Sequence, residues 1–195
     1  MAELAELARQ CKQPAMLVRN LGYLSYIRKH HADIVVIADA SLNAANEIAL
    51  NCLLQAGAAR IAPAYELDLS KLLAVAGRSD PSAIEAVIYQ HAPMMHTVHC
   101  LFAANLSGGS NCRDCSRPCE THLLSLRDRN EVDHPAWVDL AGRNTIFKGA
   151  VESRMNVIPR LVQAGVRTFR LELLDESGEE TLDLWTQAQQ AVTLP

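Results

Sequence analysis

Four of the six cysteines, Cys100, Cys112, Cys115 and Cys119, fall in one window of the chain, and the last three read C-x2-C-x3-C. His122 follows Cys119 by three residues, and His91, His96 and His99 precede the cysteines. Thiolates spaced this tightly on one loop can converge on a single inorganic centre. A 4Fe–4S cluster would take Cys100, Cys115 and Cys119, with Cys112 as the nearest fourth thiolate. A zinc ion would take Cys112, Cys115, Cys119 and His122, a Cys3His set of ordinary spacing. The remaining reading is a group of reduced thiols in a Gly/Ser-rich loop. Spacing alone leaves the three open, although clustered cysteines in a cytosolic chain more often bind metal than form disulfides.

Other catalytic signatures are weak. The chain has no H-E-x-x-H and no G-x-S-x-G. The segment SGGSN at 107–111 lacks the lysine of a phosphate-binding loop and reads as a turn. A nucleophile pair of Cys100 with His99 or His91 is a further reading, in which His99 is the poorer partner if that stretch is extended, because neighbours on a strand point opposite ways. Cys11, on the apolar stripe of Leu4, Leu7 and Ala8, and Cys52, beside Leu53, read as packed core thiols, with Cys52 a reserve ligand.

These residues need a scaffold, and the pattern around them supplies one. Apolar runs at 15–20, 32–40, 58–67, 84–95 and 166–175 alternate with helical patterns, among them 43–56, Asp68 to Ala76 and Asn156 to Ala164. Such alternation predicts an α/β fold of parallel βα units with about six strands. Asn43, Asp68 and Asn156 read as helix N-caps, and Ser177 with Glu180 as a capping box. Leu182, Trp185, Ala188 and Val192 make an apolar stripe on the last helix. LLQAGAARIAPAYEL at 53–67 and LVQAGVRTFRLELLD at 161–175 echo each other as helix end, Q-A-G stop and strand. Each glycine there should take the positive φ of a helix exit. Polar residues expected at the carboxyl ends of strands, where such folds place function, are Asn20, Asn43, Glu66, His91 and Glu172.

The length of 195 residues predicts a single domain over 1–195, with a Cys-rich insertion at about 96–122. A net charge of −4 and the lack of any Lys/Arg run argue against a chain devoted to gripping phosphates. No apolar run approaches the roughly 20 residues of a membrane span. The N-terminus reads as an amphipathic helix rather than a signal peptide, so a cytoplasmic location is expected.

With these residues in view, the chain resembles peptidase family U32, the collagenase-like group. The resemblance covers nearly the whole chain. It rests on VRNLGYLSYIRKH, ADASLNAANEIAL, QAGAARIAPAYELDL, HAPMMHTVHC, the C-x3-C of Cys115 and Cys119, AGRNTIF and LVQAGVRTFRLELLDES. It implies the later strands of a TIM-type barrel, an incomplete barrel that a partner subunit or homo-oligomer would complete. It implies one of two activities. The first is an iron–sulfur protein of oxygen-independent hydroxylation, acting on a small-molecule quinone precursor or an RNA base. The second is a metal-dependent, collagenase-like peptidase. A non-catalytic partner subunit is the third expectation. By resemblance Cys100, Cys115 and Cys119 match cluster ligands. Many relatives carry Cys-Arg where this chain has Gly142-Arg143, so Cys112 substitutes, or the fourth ligand comes from elsewhere, or the cluster is weak or lost. Arg143 and Asn144 are then expected to bind an anionic group such as a carboxylate, or Arg143 to sit in a structural ion pair, and His91 and Glu66 to handle protons.

Overall fold

The computed structural model describes residues 2–108, 113–139 and 142–193. It divides into two compact units, one formed by residues 1–88, 154–171 and 176–195, the other by 89–153 and 172–175.

The first unit is the α/β part. It opens with α1 (Ala2–Arg9), β1 (Ala15–Val18), α2 (Leu21–His30) and β2 (Val35–Ala38). There follow α3 (Glu47–Gln55), β3 (Arg60–Ile61), α4 (Leu69–Arg78) and β4 (Glu85–Gln90). Strands β1, β2 and β3 form a parallel sheet in that order, with Leu17 opposite Ile37 and Ile37 opposite Arg60. A parallel bridge from Ile61 to Ile84 continues the line toward β4. The helices bury one face each: Leu24 and Ile27 of α2, Leu50 and Leu53 of α3, and Leu72, Val75 and Ala76 of α4. These meet Val36, Ala38 and Ile61 in one core.

The second unit carries the cysteines. It contains β5 (Pro93–Thr97), α5 (Leu101–Leu106), β6 (Leu124–Arg127), β7 (Asp133–Val138), β8 (Asn144–Phe147) and β9 (Glu152–Ser153). Four of these make an antiparallel sheet in the order β5-β8-β7-β6. The last two residues of β4 also belong here and pair antiparallel with β9. The chain then returns to the first unit through α6 (Ile158–Gln163), β10 (Thr168–Leu171), which lies beside β4, and α7 (Gly178–Thr193).

The α/β class and its parallel strands are as expected, but no closed barrel is found among the described residues. Several elements differ from expectation. Helix α3 starts four residues later than predicted, capped by Asn46 accepting from Ala49 N–H at 2.9 Å, while Asn43 sits in the left-handed region (φ 58°) after a 3-10 turn. Helix α4 runs on past the expected end at Ala76, through Gly77 to Arg78. The run 84–95 is two strands in two sheets, because Pro93 starts a new pairing with β8. Asn156 lies in a 3-10 turn before α6 and caps nothing. Cys11 and Cys52 are exposed rather than packed: α1 stops at Arg9 with Ala5 as its buried position, and Cys52 lies off the Leu50–Leu53 face of α3. The stripe on α7 also faces out, with Leu182, Trp185 and Val192 exposed.

Expectation and structure agree where one residue decides the geometry. Asp68 accepts from Lys71 N–H at 2.9 Å. Ser177 and Glu180 exchange the two bonds of a capping box, at 3.2 and 2.8 Å. Gly57 and Gly165, the two Q-A-G glycines, have φ of +101° and +97°.

Candidate metal centre

Three cysteines come together in the second unit. Cys100 and Cys115 are 7% and 3% exposed, in one apolar cluster with Phe102, Ala103, Ala136 and Ile146, and Cys119 packs against it. All three line a cavity of about 300 Å³ with Phe102, Val138 and Gly142.

Each sulfur is delivered differently. Cys100 is the N-cap of α5: its Sγ accepts from Ala103 N–H at 3.5 Å and its carbonyl from Ala104 N–H at 3.0 Å. The chain at Cys100 is thus the start of a helix and not a strand, so strand alternation is not what separates His99 from this thiol. Cys115 precedes two successive left-handed residues, Ser116 (φ 54°) and Arg117 (φ 51°). Non-glycine residues adopt that region at a cost of order 1 kcal/mol or more each, so the surroundings must enforce it. The reversal leads into the 3-10 turn Pro118–Glu120, which holds Cys119. Burial pushes the Cys119 thiol up, and the nearby Cys100 and Cys115 sulfurs push the same way. Like charges so close favour a cationic occupant over three bare thiolates.

The walls come from the antiparallel sheet. Ala136 stands opposite Ile146 and Val138 opposite Asn144. Asn144 is fully buried, and its Nδ2 donates to Gly142 O at 3.2 Å and to His99 O at 3.4 Å. One side chain thus ties the residue before Cys100 to the turn that carries Gly142. Its role here is to position the site.

His122 also lines the cavity. Its Nδ1 lies 3.2 Å from Pro118 O and 2.9 Å from Thr121 Oγ1. Cys112 and most of the SGGSN turn lie outside the described residues.

Of the residues expected to be catalytic, Arg143 and His91 are engaged in other contacts. Arg143 grips Asp139, its Nη2 at 2.8 Å and Nε at 2.9 Å from Oδ2, while Asp139 Oδ1 accepts from Arg143 N–H at 3.0 Å. This is the structural ion pair among its expected roles. His91, half-buried, donates from Nδ1 to Lys148 O at 3.1 Å and stands edge-on to Tyr89. Glu66 is exposed in the first unit, between Tyr65 and Leu67, whose carbonyls accept from Arg154 at 3.2 and 3.1 Å.

A family model described as Peptidase family U32 matches residues 1–187 of the 195. The chain belongs to peptidase family U32. No curated protein and no solved structure matches it. As a U32 protein it has, in Cys100, Cys115 and Cys119, a soft donor set able to hold zinc or an iron–sulfur cluster. Its two left-handed residues, and the positioning rather than anion-binding contacts of the buried Asn144, are the parts of that site that residue types did not announce. No helix among the described residues is long and apolar enough to cross a membrane.

Proposed function

We propose that this U32 protein holds a 4Fe–4S cluster on Cys100, Cys115 and Cys119 and takes part in oxygen-independent hydroxylation of a quinone precursor or an RNA base. The observation that carries this is the gathering of three thiols on one largely apolar cavity. A cluster takes each thiolate on a different iron, which suits three thiols delivered from separate points on one cavity wall.

When bound, such a cluster supplies one-electron chemistry. The chain's own residues supply the surroundings. Phe102, Ala136 and Val138 keep one side of the cavity dry, which strengthens every charge interaction within it. In the same reading His91 and Glu66 handle protons and Arg143 meets an anionic group, for which it must part from Asp139. A cytoplasmic setting, which keeps thiols reduced, belongs to this proposal. So does a partner subunit or second copy completing an incomplete barrel, since β1 pairs on one side only among the described residues.

The test is anaerobic purification with metal and sulfide analysis. The expected result is a brown protein with iron and acid-labile sulfide in equal amounts, both lost in Cys115→Ala. A colourless protein with stoichiometric zinc supports the peptidase alternative and ends this reading.

A further inference from the structure

We propose that His122, through Nε2, is the fourth ligand of this centre, making it a Cys3His site with Cys100, Cys115 and Cys119. The assignment rests on the cluster reading above and goes beyond the expected fourth thiolate.

Three observations carry it. First, His122 lines the same cavity as the three sulfurs. The spacing C-x3-C-x2-H around the Pro118–Glu120 turn keeps its backbone close to Cys119 without a long loop.

Second, Nδ1 is occupied by oxygen partners: it lies 2.9 Å from Thr121 Oγ1 and 3.2 Å from Pro118 O. Nε2 carries no hydrogen bond among the described residues, and in the tautomer that places the proton on Nδ1 it presents a bare lone pair. Metal-bound histidines are oriented in the same way, by giving the far N–H to a carbonyl.

Third, the competitors on the cavity wall are engaged. Glu120 Oε1 pairs with Arg117 at 3.0 Å, and Asp139 with Arg143. Among the described residues lining the cavity, His122 is the side chain whose ligating atom is free. It is also exposed, so turning it toward a cluster disturbs no packed core.

A neutral imidazole in place of a thiolate leaves the loaded centre with one negative charge fewer. Replacing Cys by His raises the potential of iron–sulfur centres. A U32 protein ligated this way would accept electrons more readily than an all-thiolate relative.

The experiment uses the full chain, purified anaerobically and loaded with ferrous iron and sulfide, as wild type, His122→Ala, His122→Cys and Cys112→Ser. Iron and sulfide per chain are measured. Pulsed electron paramagnetic resonance of the reduced protein is recorded with and without nitrogen-15-labelled histidine. Circular dichroism checks that each variant folds. The expected wild-type spectrum has a nitrogen coupling that changes with the label. His122→Ala loses that coupling and most of its iron, His122→Cys keeps iron without the coupling, and Cys112→Ser matches wild type. A loaded wild type with no histidine coupling, or a cluster lost in Cys112→Ser and unchanged in His122→Ala, overturns the assignment and leaves the cluster reading standing. A wild type that takes up no cluster overturns both.

Discussion

Asp39 and Arg170 are 131 residues apart in the chain, and their charges meet at 3.0 Å. The carboxylate is 1% exposed and the guanidinium side chain 14%. Arg170 also donates from Nε to Glu85 Oε1 at 2.7 Å. Glu85 in turn pairs with Arg60 at 3.1 Å, and Asp39 with Arg19 at 3.0 Å. Five alternating charges thus link the exits of β1 and β2 to β3, β4 and β10. Arg170→Met should remove the central cation and leave two buried carboxylates to the more exposed Arg19 and Arg60. Breaking a buried pair from one side costs about 3–5 kcal/mol. A fall of that order in urea-unfolding free energy, at unchanged denaturant slope, is the expected outcome. A loss of under about 1 kcal/mol would place this network with weak surface pairs.

Gly149 should tolerate no side chain. A Cβ there would stand 2.1 Å from Asp133 O, a backbone atom that cannot swing away, and 3.2 Å from Val132 Cγ1. Gly149 N–H also donates to the buried His134 at Nδ1, 3.0 Å away, so shifting the glycine breaks that bond. Gly149→Ala is expected to destabilise by about 1–3 kcal/mol through overpacking. It should also lower metal loading, since β7, which Gly149 abuts at Asp133, supplies Ala136 and Val138 to the cavity wall. Gly77 is the contrast: it lies inside α4, and a Cβ added there would meet nothing within 4 Å. Gly77→Ala should stabilise by about 0.5–1 kcal/mol, as alanine does in a helix interior. Thermal unfolding of the two variants side by side checks both signs.

What the residues revealed in advance were features that a few neighbouring atoms settle. Asp68, the Ser177–Glu180 box and the two Q-A-G glycines each fix a helix end through bonds within five residues. Features set by distant partners were hidden. The break between β4 and β5 depends on which strand each half meets: His96 pairs with Thr145, 49 residues on. Leu4 and Leu7 have the residue type of a core, yet the face α1 buries is that of the smaller Ala5. At the site, the convergence of Cys100 with Cys115 and Cys119 followed from spacing. The means of convergence did not: a cysteine as helix cap, two left-handed residues before a proline, and Asn144 bridging Gly142 to His99. Arginine before proline ordinarily reads as extended chain.

The pair Arg9–Asp33 should show in the acid limb of stability. Arg9 donates from Nε to Asp33 Oδ2 at 2.7 Å and from Nη2 to Oδ1 at 3.0 Å. This holds the Asp33 carboxyl down at about 2, from an ordinary 3.8. A carboxylate lowered on folding stabilises the fold above its unfolded value, and the contribution is lost as pH falls through the folded one. Asp33→Asn should therefore flatten the stability profile between about pH 4 and pH 2 while leaving its shape near neutrality unchanged. The pair is exposed, so the effect should shrink in high salt. An identical acid slope in the variant would assign that limb to other groups, such as Asp68, which its bonds from Lys71 and Ser70 also hold well below the usual carboxylate range.

Gly142 offers the strictest test of the cavity as a metal site. It lines that cavity with the three thiols, and its carbonyl is held by Asn144. A cysteine there would add a fourth sulfur on the same wall, as the Cys-Arg pair of many U32 relatives implies. The cost is local: φ at 142 is +79°, and a side chain in the left-handed region costs roughly 1–2 kcal/mol. Gly142→Cys should lower the melting temperature of the metal-free chain by a few degrees. In a His122→Ala background the same change should restore iron and sulfide toward wild-type content, without a histidine coupling in the spectrum. Those two movements have opposite signs, because a strained ligand position lowers stability when empty and recovers it by mass action when loaded. Restored folding without restored iron, or no change in either, would mean that residue 142 does not face the centre and that the thiols are held for another purpose.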